Sequence, residues 1–228
     1  MIAASVLLVL VLGGLPGWAA EREGSIPEDL AARKPPHPNE IYVVVFPFWS
    51  RDETQSELAR ACVMLNLMRH RFRVAPKGAT SLPSAARRTD AALKRDPEWE
   101  PLARLGPEDA ARVGKTLGAQ WAVYGEFGDL HTESEGGSVL RRKRGVIDIR
   151  LVLVDVESGD TLYWCRVKDS SSEGGGLWRA KASSIERRLV TQTINGMFDD
   201  IAAALPEHYA GPEVSQGEVR ELLEAMGK

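Results

Sequence analysis

Between residues 41 and 47 the chain reads Ile-Tyr-Val-Val-Val-Phe-Pro, an unbroken apolar, β-branched run stopped by proline. Continuity of that kind, without polar alternation, predicts a central strand covered on both faces. Ser50 and Glu53 follow at capping-box spacing, and Leu58, Ala61, Cys62, Leu65 and Met68 then recur at helical intervals, so the strand leads into a helix of about four turns. Phe72–Ala75 is short enough for a second strand, which Pro76 ends. Residues 82 to 118 are helical in composition, with breaks at Pro97 and Pro107. Pro107 suits a first helical turn, Glu108 and Asp109 suit its positive end, and Gly118 suits its stop. Trp121–Phe127 predicts the next strand, and a polar loop containing Gly136 and Gly137 follows it.

Two further apolar runs, residues 146 to 156 and 161 to 168, flank Glu157-Ser158-Gly159-Asp160 and predict a hairpin. Whether the loop is Ser158-Gly159 or Glu157–Asp160, the parity places Leu153 opposite Trp164 and Val154 opposite Tyr163. Ile147, Ile149, Leu151, Leu153, Leu162 and Trp164 then line one face, and Val152, Val154, Tyr163, Cys165 and Val167 the other. Both faces are partly apolar, so helices or tails are expected on both sides of the sheet. After a Ser/Gly-rich loop, Leu189, Val190, Ile194, Met197, Phe198 and Ile201 mark a long amphipathic helix that closes the sheet. Ser215 with Glu218 caps a last short helix whose apolar face is Val219, Leu222, Leu223 and Met226, available to dock on the domain itself or on a partner. The architecture predicted is α/β: a single mixed sheet of about five strands flanked by helices over residues 40–205. An extended Pro-rich linker at 21–39 (Arg-Lys-Pro-Pro-His-Pro at 33–38) precedes it, and a tail at 206–228 follows.

The first twenty residues differ in kind. Val6–Leu12 is an uninterrupted apolar run followed by Gly13-Gly14, Pro16 and Ala19-Ala20. It falls short of the ~20 apolar residues a bilayer span needs and reads as a signal peptide, residues 1–20, cleaved near Ala20. The mature chain is expected in the periplasm or secreted, and the absence of a cysteine after the run excludes a lipid-modified cysteine there. The 228 residues are 43% hydrophobic, and 29 basic against 32 acidic side chains give a net charge of -3, which supplies no field to draw a phosphate backbone. Nucleic acid is therefore not an expected partner. Cys62 and Cys165 could form a disulfide in that compartment, but their helix-face and strand addresses read as two buried small hydrophobes.

Candidate chemistry is sparse. Asp155, Glu157 and Asp160 invite a metal, yet a calcium loop starting at Asp155 wants Gly at its sixth position and Glu at its twelfth, where this chain has Asp160 and Arg166. His37, His70, His131 and His208 form no metal-binding pair, no Cys-x-x-Cys occurs, and no nucleophile elbow or phosphate loop is present. No catalytic, cofactor-binding or metal residue is expected. An enzyme, such as a hydrolase whose site is invisible in the sequence, would need Asp155, Glu157, His131 and Glu126 to converge. Arg141-Arg142-Lys143-Arg144 is the one dense basic run. It could contact anionic lipid or an envelope polymer peripherally, or serve as the solvated end of a strand.

Read in order, "IYVVVFPFWS", "LGPEDAARVGKTLGAQWAVYGEF", "IDIRLVLVDVESGDTLYW" and the closing amphipathic helix resemble the α/β domain of bacterial envelope proteins typified by the TolB N-terminal domain, CsgG and LpoB. The pattern is most similar to a family of bacterial lipoproteins of about this length, in which a Val-Asp-x-x-x-Gly turn leads to a Leu-x-Trp strand. The resemblance covers residues 40 to 205. It implies a non-enzymatic periplasmic module that binds other envelope proteins, leaves homo-oligomerisation open, and carries over no catalytic residue. The lipobox cysteine of those lipoproteins is missing, and the charged stretch from Asp129 to Gly145 lacks the lipid-facing alternation of a pore-forming hairpin.

Overall fold

The computed structural model describes residues 21–33, 35, 37–50, 52–75, 105–135, 142–173, 182–205 and 214–225. The predicted signal segment, the helical stretch up to residue 104 and the glycine-rich loops lie outside them. The elements in order are β1 (Glu21–Gly24), α1 (Pro27–Ala32), a 3-10 turn (Pro38–Glu40), β2 (Tyr42–Val45), α2 (Glu53–Arg69), β3 (Arg73–Val74), α3 (Pro107–Thr116), β4 (Trp121–Glu135), β5 (Arg142–Asp155), β6 (Thr161–Glu173), α4 (Ala182–Ala203) and α5 (Gln216–Ala225). One six-stranded sheet runs in the order β1-β6-β5-β4-β2-β3. β2 lies parallel to β3 and β4, and the remaining neighbours are antiparallel. The class is the predicted one: an α/β fold on a single mixed sheet flanked by helices.

The apolar β2 run is buried on both faces for the expected reason. Val43 and Val45 join the main core beneath α2 and α4, with Leu58, Cys62, Leu67, Leu189, Ile194 and Phe198. Val44 points the other way and packs with Ala110, Ala122, Val152, Val154 and Val156 in a smaller cluster beneath α3. α3 begins at Pro107 with Glu108 and Asp109 in its first turn. Gly118, just beyond its C-cap Leu117, takes φ +70°, the left-handed conformation that glycine adopts without cost. α2 starts later than the capping-box spacing predicted. Asp52 is the N-cap, accepting from the Thr54 N–H at 2.8 Å. Ser50 instead accepts from the Asp52 N–H at 3.1 Å and donates to Gln55 at 3.0 Å.

The sixth strand comes from residues expected to form a linker. Glu21–Gly24 pair with Lys168–Cys165 on the edge of β6, and α1 sinks Leu30 completely into the core. Gly24 sits at φ +149°, where a Cβ would lie 2.8 Å from Cys165 Cα and would also press on the Trp164 carbonyl oxygen, so the close approach admits no side chain. Arg22 donates to the Tyr163 hydroxyl at 2.9 Å and is ion-paired with Asp200 of α4. Prolines and charges gave this stretch a linker's composition, while Leu30 and Ile41, both fully buried, tie it down.

The β5–β6 hairpin forms, with a register one residue from that expected. Leu153 lies opposite Tyr163 and Val152 opposite Trp164, with an irregularity between Leu153 and Val154. Tyr163, Cys165 and Val167 therefore share the buried face with Ile149, Leu151 and Leu153. The cause is Leu162, an extra residue in β6 between Tyr163 opposite Leu153 and Thr161 opposite Val154. Val154 pairs with Thr161, and Val156 leaves the hairpin to be buried, its N–H bonded to Gln120 O at 2.8 Å and a methyl 2.7 Å from where a Cβ on Gly114 would lie.

Candidate functional surfaces

The turn at Asp155–Asp160 is built to hold itself. Asp155 Oδ1 accepts from the N–H groups of Glu157 at 2.9 Å and Ser158 at 2.8 Å, and Asp155 N–H donates to Asp160 O at 2.9 Å. Gly159 takes φ +77° and donates to Asp155 O at 2.9 Å. One carboxylate oxygen is thus committed to backbone donors. Among the described residues, no group of three or more His, Cys, Asp or Glu is placed to hold a metal ion. Beside the turn an open groove of about 410 Å³ separates it from the end of α1. Leu30, Trp121 and Leu162 form its apolar floor, and Arg33, Asp155 and Glu157 stand on its rim. The sequence gives the turn and the strands, but no local pattern shows that α1 comes back to make the opposite wall.

The four residues an enzyme would have to gather do not meet. Asp155 pairs with Trp121 at one end of the sheet, while His131 pairs with Val146, roughly 30 Å along β4 at ~3.3 Å per residue. Glu126 lies between, 3.7 Å from Arg150, whose guanidinium sits 5.3 Å from the centre of the Trp164 ring. His131 is held within its own strand: Nε2 lies 2.9 Å from Glu133 and Nδ1 2.9 Å from Asp129. Residues two apart on a strand share a face, and a carboxylate at each ring nitrogen favours the imidazolium, Glu133 first and Asp129 second, so its pKa is raised.

The basic run enters β5 between two acidic strands. Arg142 lies opposite Glu135 and Arg144 opposite Glu133 on β4, while Lys143 lies opposite Glu173 on β6. Arg144 also donates to Ser170 at 3.0 Å, and Arg141 falls outside the described residues. Cross-strand opposite charges stabilise pairing, as at Arg144 opposite Glu133.

The last helix docks on its own domain. Val219 is buried and Leu222 and Leu223 pack against the main core; Met226 lies outside the described residues. The predicted capping box is present, with Glu218 accepting from the Ser215 N–H at 2.9 Å and from its hydroxyl at 2.7 Å. Arg69 of α2 reaches the same carboxylate with distances of 2.7 and 2.6 Å. These donors, those of Ser215 first, hold Glu218 down at a pKa of about 2. Cys62 and Cys165 are both buried and unbridged. Burial pushes the Cys62 thiol up to about 12 against the opposing contact with Thr191, the condition of an inert thiol.

These elements define a mixed-sheet α/β domain with an open groove at the turn end of its sheet. No protein-family model matches the chain, and no curated protein matches it in sequence. Among solved structures it is similar to the PelC dodecamer from Paraburkholderia phytofirmans, with 13% identity over 77% of this chain and 94% of that one and a TM-score of 0.40. It is also similar to lipoprotein GNA1162 from Neisseria meningitidis, with 16% identity, coverage of 69% and 97%, and a TM-score of 0.39. A third likeness is to the LpoB C-terminal domain from Salmonella enterica, with 10% identity, coverage of 66% and 96%, and a TM-score of 0.32. Likeness at this level assigns neither family nor function.

Proposed function

We propose that the chain is a non-enzymatic interaction or assembly module of the bacterial cell envelope, acting in the periplasm. The observation that carries this reading is how the ionisable side chains are spent. Arg150 takes Glu126, Arg166 takes Asp148 at 2.6 Å, and His131 takes Asp129 and Glu133. The first two tie strand to strand and the third stays within β4, spread along the sheet instead of converging on a pocket as catalytic groups must. The apolar run Val6–Leu12 supports export. The test is fractionation of the full-length chain followed by crosslinking from Glu157 in intact cells. Recovery in the periplasm or envelope with adducts to an envelope protein is expected. Recovery in the cytosol with residues 1–20 still attached overturns the location, and turnover abolished by His131→Ala overturns the non-enzymatic reading. Because Arg144 lies opposite Glu133 and donates to Ser170 within the sheet, reversing Arg142 and Arg144 to Glu is expected to leave envelope association unchanged.

A further inference from the structure

Among the described residues, one stretch of sheet edge has no neighbouring strand. β5 accompanies β6 as far as Lys143 opposite Glu173, but on the other side of β6 the β1 ladder stops at Glu21 opposite Lys168. In a chain cleaved near Ala20, β1 has no residues left to continue along Asp169–Glu173. The direction of the backbone groups there follows from β1. The Trp164 carbonyl accepts from the Ser25 N–H at 2.8 Å, and the Trp164 N–H donates to Ser25 Oγ at 3.3 Å. Trp164 thus turns its backbone toward β1, and at the strand's period of two so do Arg166, Lys168, Ser170 and Ser172. Past the end of β1, Ser170 and Ser172 each direct an N–H and a carbonyl outward, and such groups are a template for another strand. Two copies of the chain match there: antiparallel about Ser171, Ser170 of one stands opposite Ser172 of the other, the isologous contact of a two-fold dimer.

One of those outward groups is already taken. The Ser170 N–H donates to Asp169 Oδ1 at 2.6 Å. Asp169 follows Tyr163, Cys165 and Val167 on the core-facing side of β6 and lies opposite Ile147, which is fully buried. An apolar residue at that position would extend the core, and a carboxylate does not. The edge accounts for it: an inward-pointing charge is one of the devices that keep edge strands from pairing. We propose that Asp169 guards this edge, holding the Ser170 N–H so that two copies of the chain do not join through β6. Each copy in such a dimer would need its Ser170 N–H for the carbonyl of Ser172 in the other, so the guard removes one bond from each of the two symmetric pairs.

The test uses the purified chain beginning at Glu21 and so stands apart from the reading of the chain as an interaction module. Asp169→Val releases the Ser170 N–H and suits a strand. Sedimentation over a concentration series is expected to show its dimer at a concentration about ten-fold or more below that of the unaltered chain, because two N–H groups per dimer are released, each worth an ordinary hydrogen bond. Hydrogen exchange at the Ser170 amide should slow as that dimer forms. Asp169→Ala, which adds no bulk on the core-facing side, should behave in the same way. Adding Ser170→Pro to either variant removes the donor from the edge, a change tolerated where a strand's N–H faces outward, and is expected to abolish the gain. The comparison between variants reads this edge whatever other contacts the unaltered chain makes. Unchanged association in both Asp169 variants, a gain with no slowing at Ser170, or a gain that survives Ser170→Pro overturns the proposal.

Discussion

Phe48 packs directly on the backbone of Gly125 in mid-β4, where any Cβ would overlap its ring and the Arg150 carbonyl. Phe48 lies 6.3 Å from Phe127 between ring centroids and is itself almost fully buried. Gly125→Ala must therefore move an aromatic ring or a ladder hydrogen bond, and overpacking of that kind costs about 1–3 kcal/mol. Denaturant titration checks it: a lowered midpoint with an unchanged slope is expected. His131 gives a second test at this scale. Its two carboxylate neighbours hold the charged form, so the stabilisation is complete below the ordinary histidine pKa and is lost as pH rises through the raised one. NMR titration should find its midpoint above 6.5, the ordinary value, and Glu133→Gln should bring it back toward that figure. Neither role could be read from the sequence, although His131 is there a candidate for a catalytic group. The role of Gly125 depends on Phe48, which reaches it from beyond the end of β2, and the setting of His131 requires that the strand continue past Phe127.

That continuation shows what apolar pattern can and cannot reveal about an element. Strands were legible wherever a β-branched run had to be buried, as in Tyr42–Val45 and the inner halves of β4, β5 and β6. Their outer halves, to Glu135, from Arg142 and to Glu173, carry charges and serines in place of that alternation, and pair with Glu135 opposite Arg142 and Lys143 opposite Glu173. The register of the hairpin was lost for a related reason. Parity assumes an unbroken ladder, whereas Leu162 is an extra residue between Tyr163 opposite Leu153 and Thr161 opposite Val154, and a one-residue slip exchanges the two faces of a strand. The amphipathic helices were legible, including the Ser215–Glu218 box of α5. Its docking yields a prediction in acid. Glu218 titrates at about 2 in the fold against an ordinary 4.5, so its contribution is whole above 4.5 and is lost as pH falls toward 2. Thermal unfolding between about pH 5 and pH 3 should show this loss, and Glu218→Gln should flatten that part of the profile. The helix end is partly exposed, so the effect should be modest and screened by salt.

For the whole molecule, the groove could not be found in the sequence because its two walls are set by segments more than a hundred residues apart: α1 near the start, and the β5–β6 turn. What joins them is β1, the strand read as a linker. It is bound to β6 by its ladder, and Ser25 adds an N–H to Trp164 O at 2.8 Å and accepts from the Trp164 N–H at 3.3 Å. Arg22 extends the tie across β6 to Tyr163 and α4, and Lys168 reaches Glu21 at 3.6 Å. The fold thus engages the chain from its first described residue, immediately after the predicted cleavage point. A chain beginning at Glu21 should therefore keep the whole β1–β6 ladder. A chain beginning at Ser25 loses the ladder and leaves Tyr163 and Asp200 without their guanidinium, a loss of about 1–3 kcal/mol where buried partners go unmet. Paired denaturation curves decide between integral strand and linker. Equal midpoints would return residues 21–24 to the status of a linker, whereas a lowered midpoint, with Arg22→Ala falling between the two, would make the N-terminal strand part of what holds the groove open.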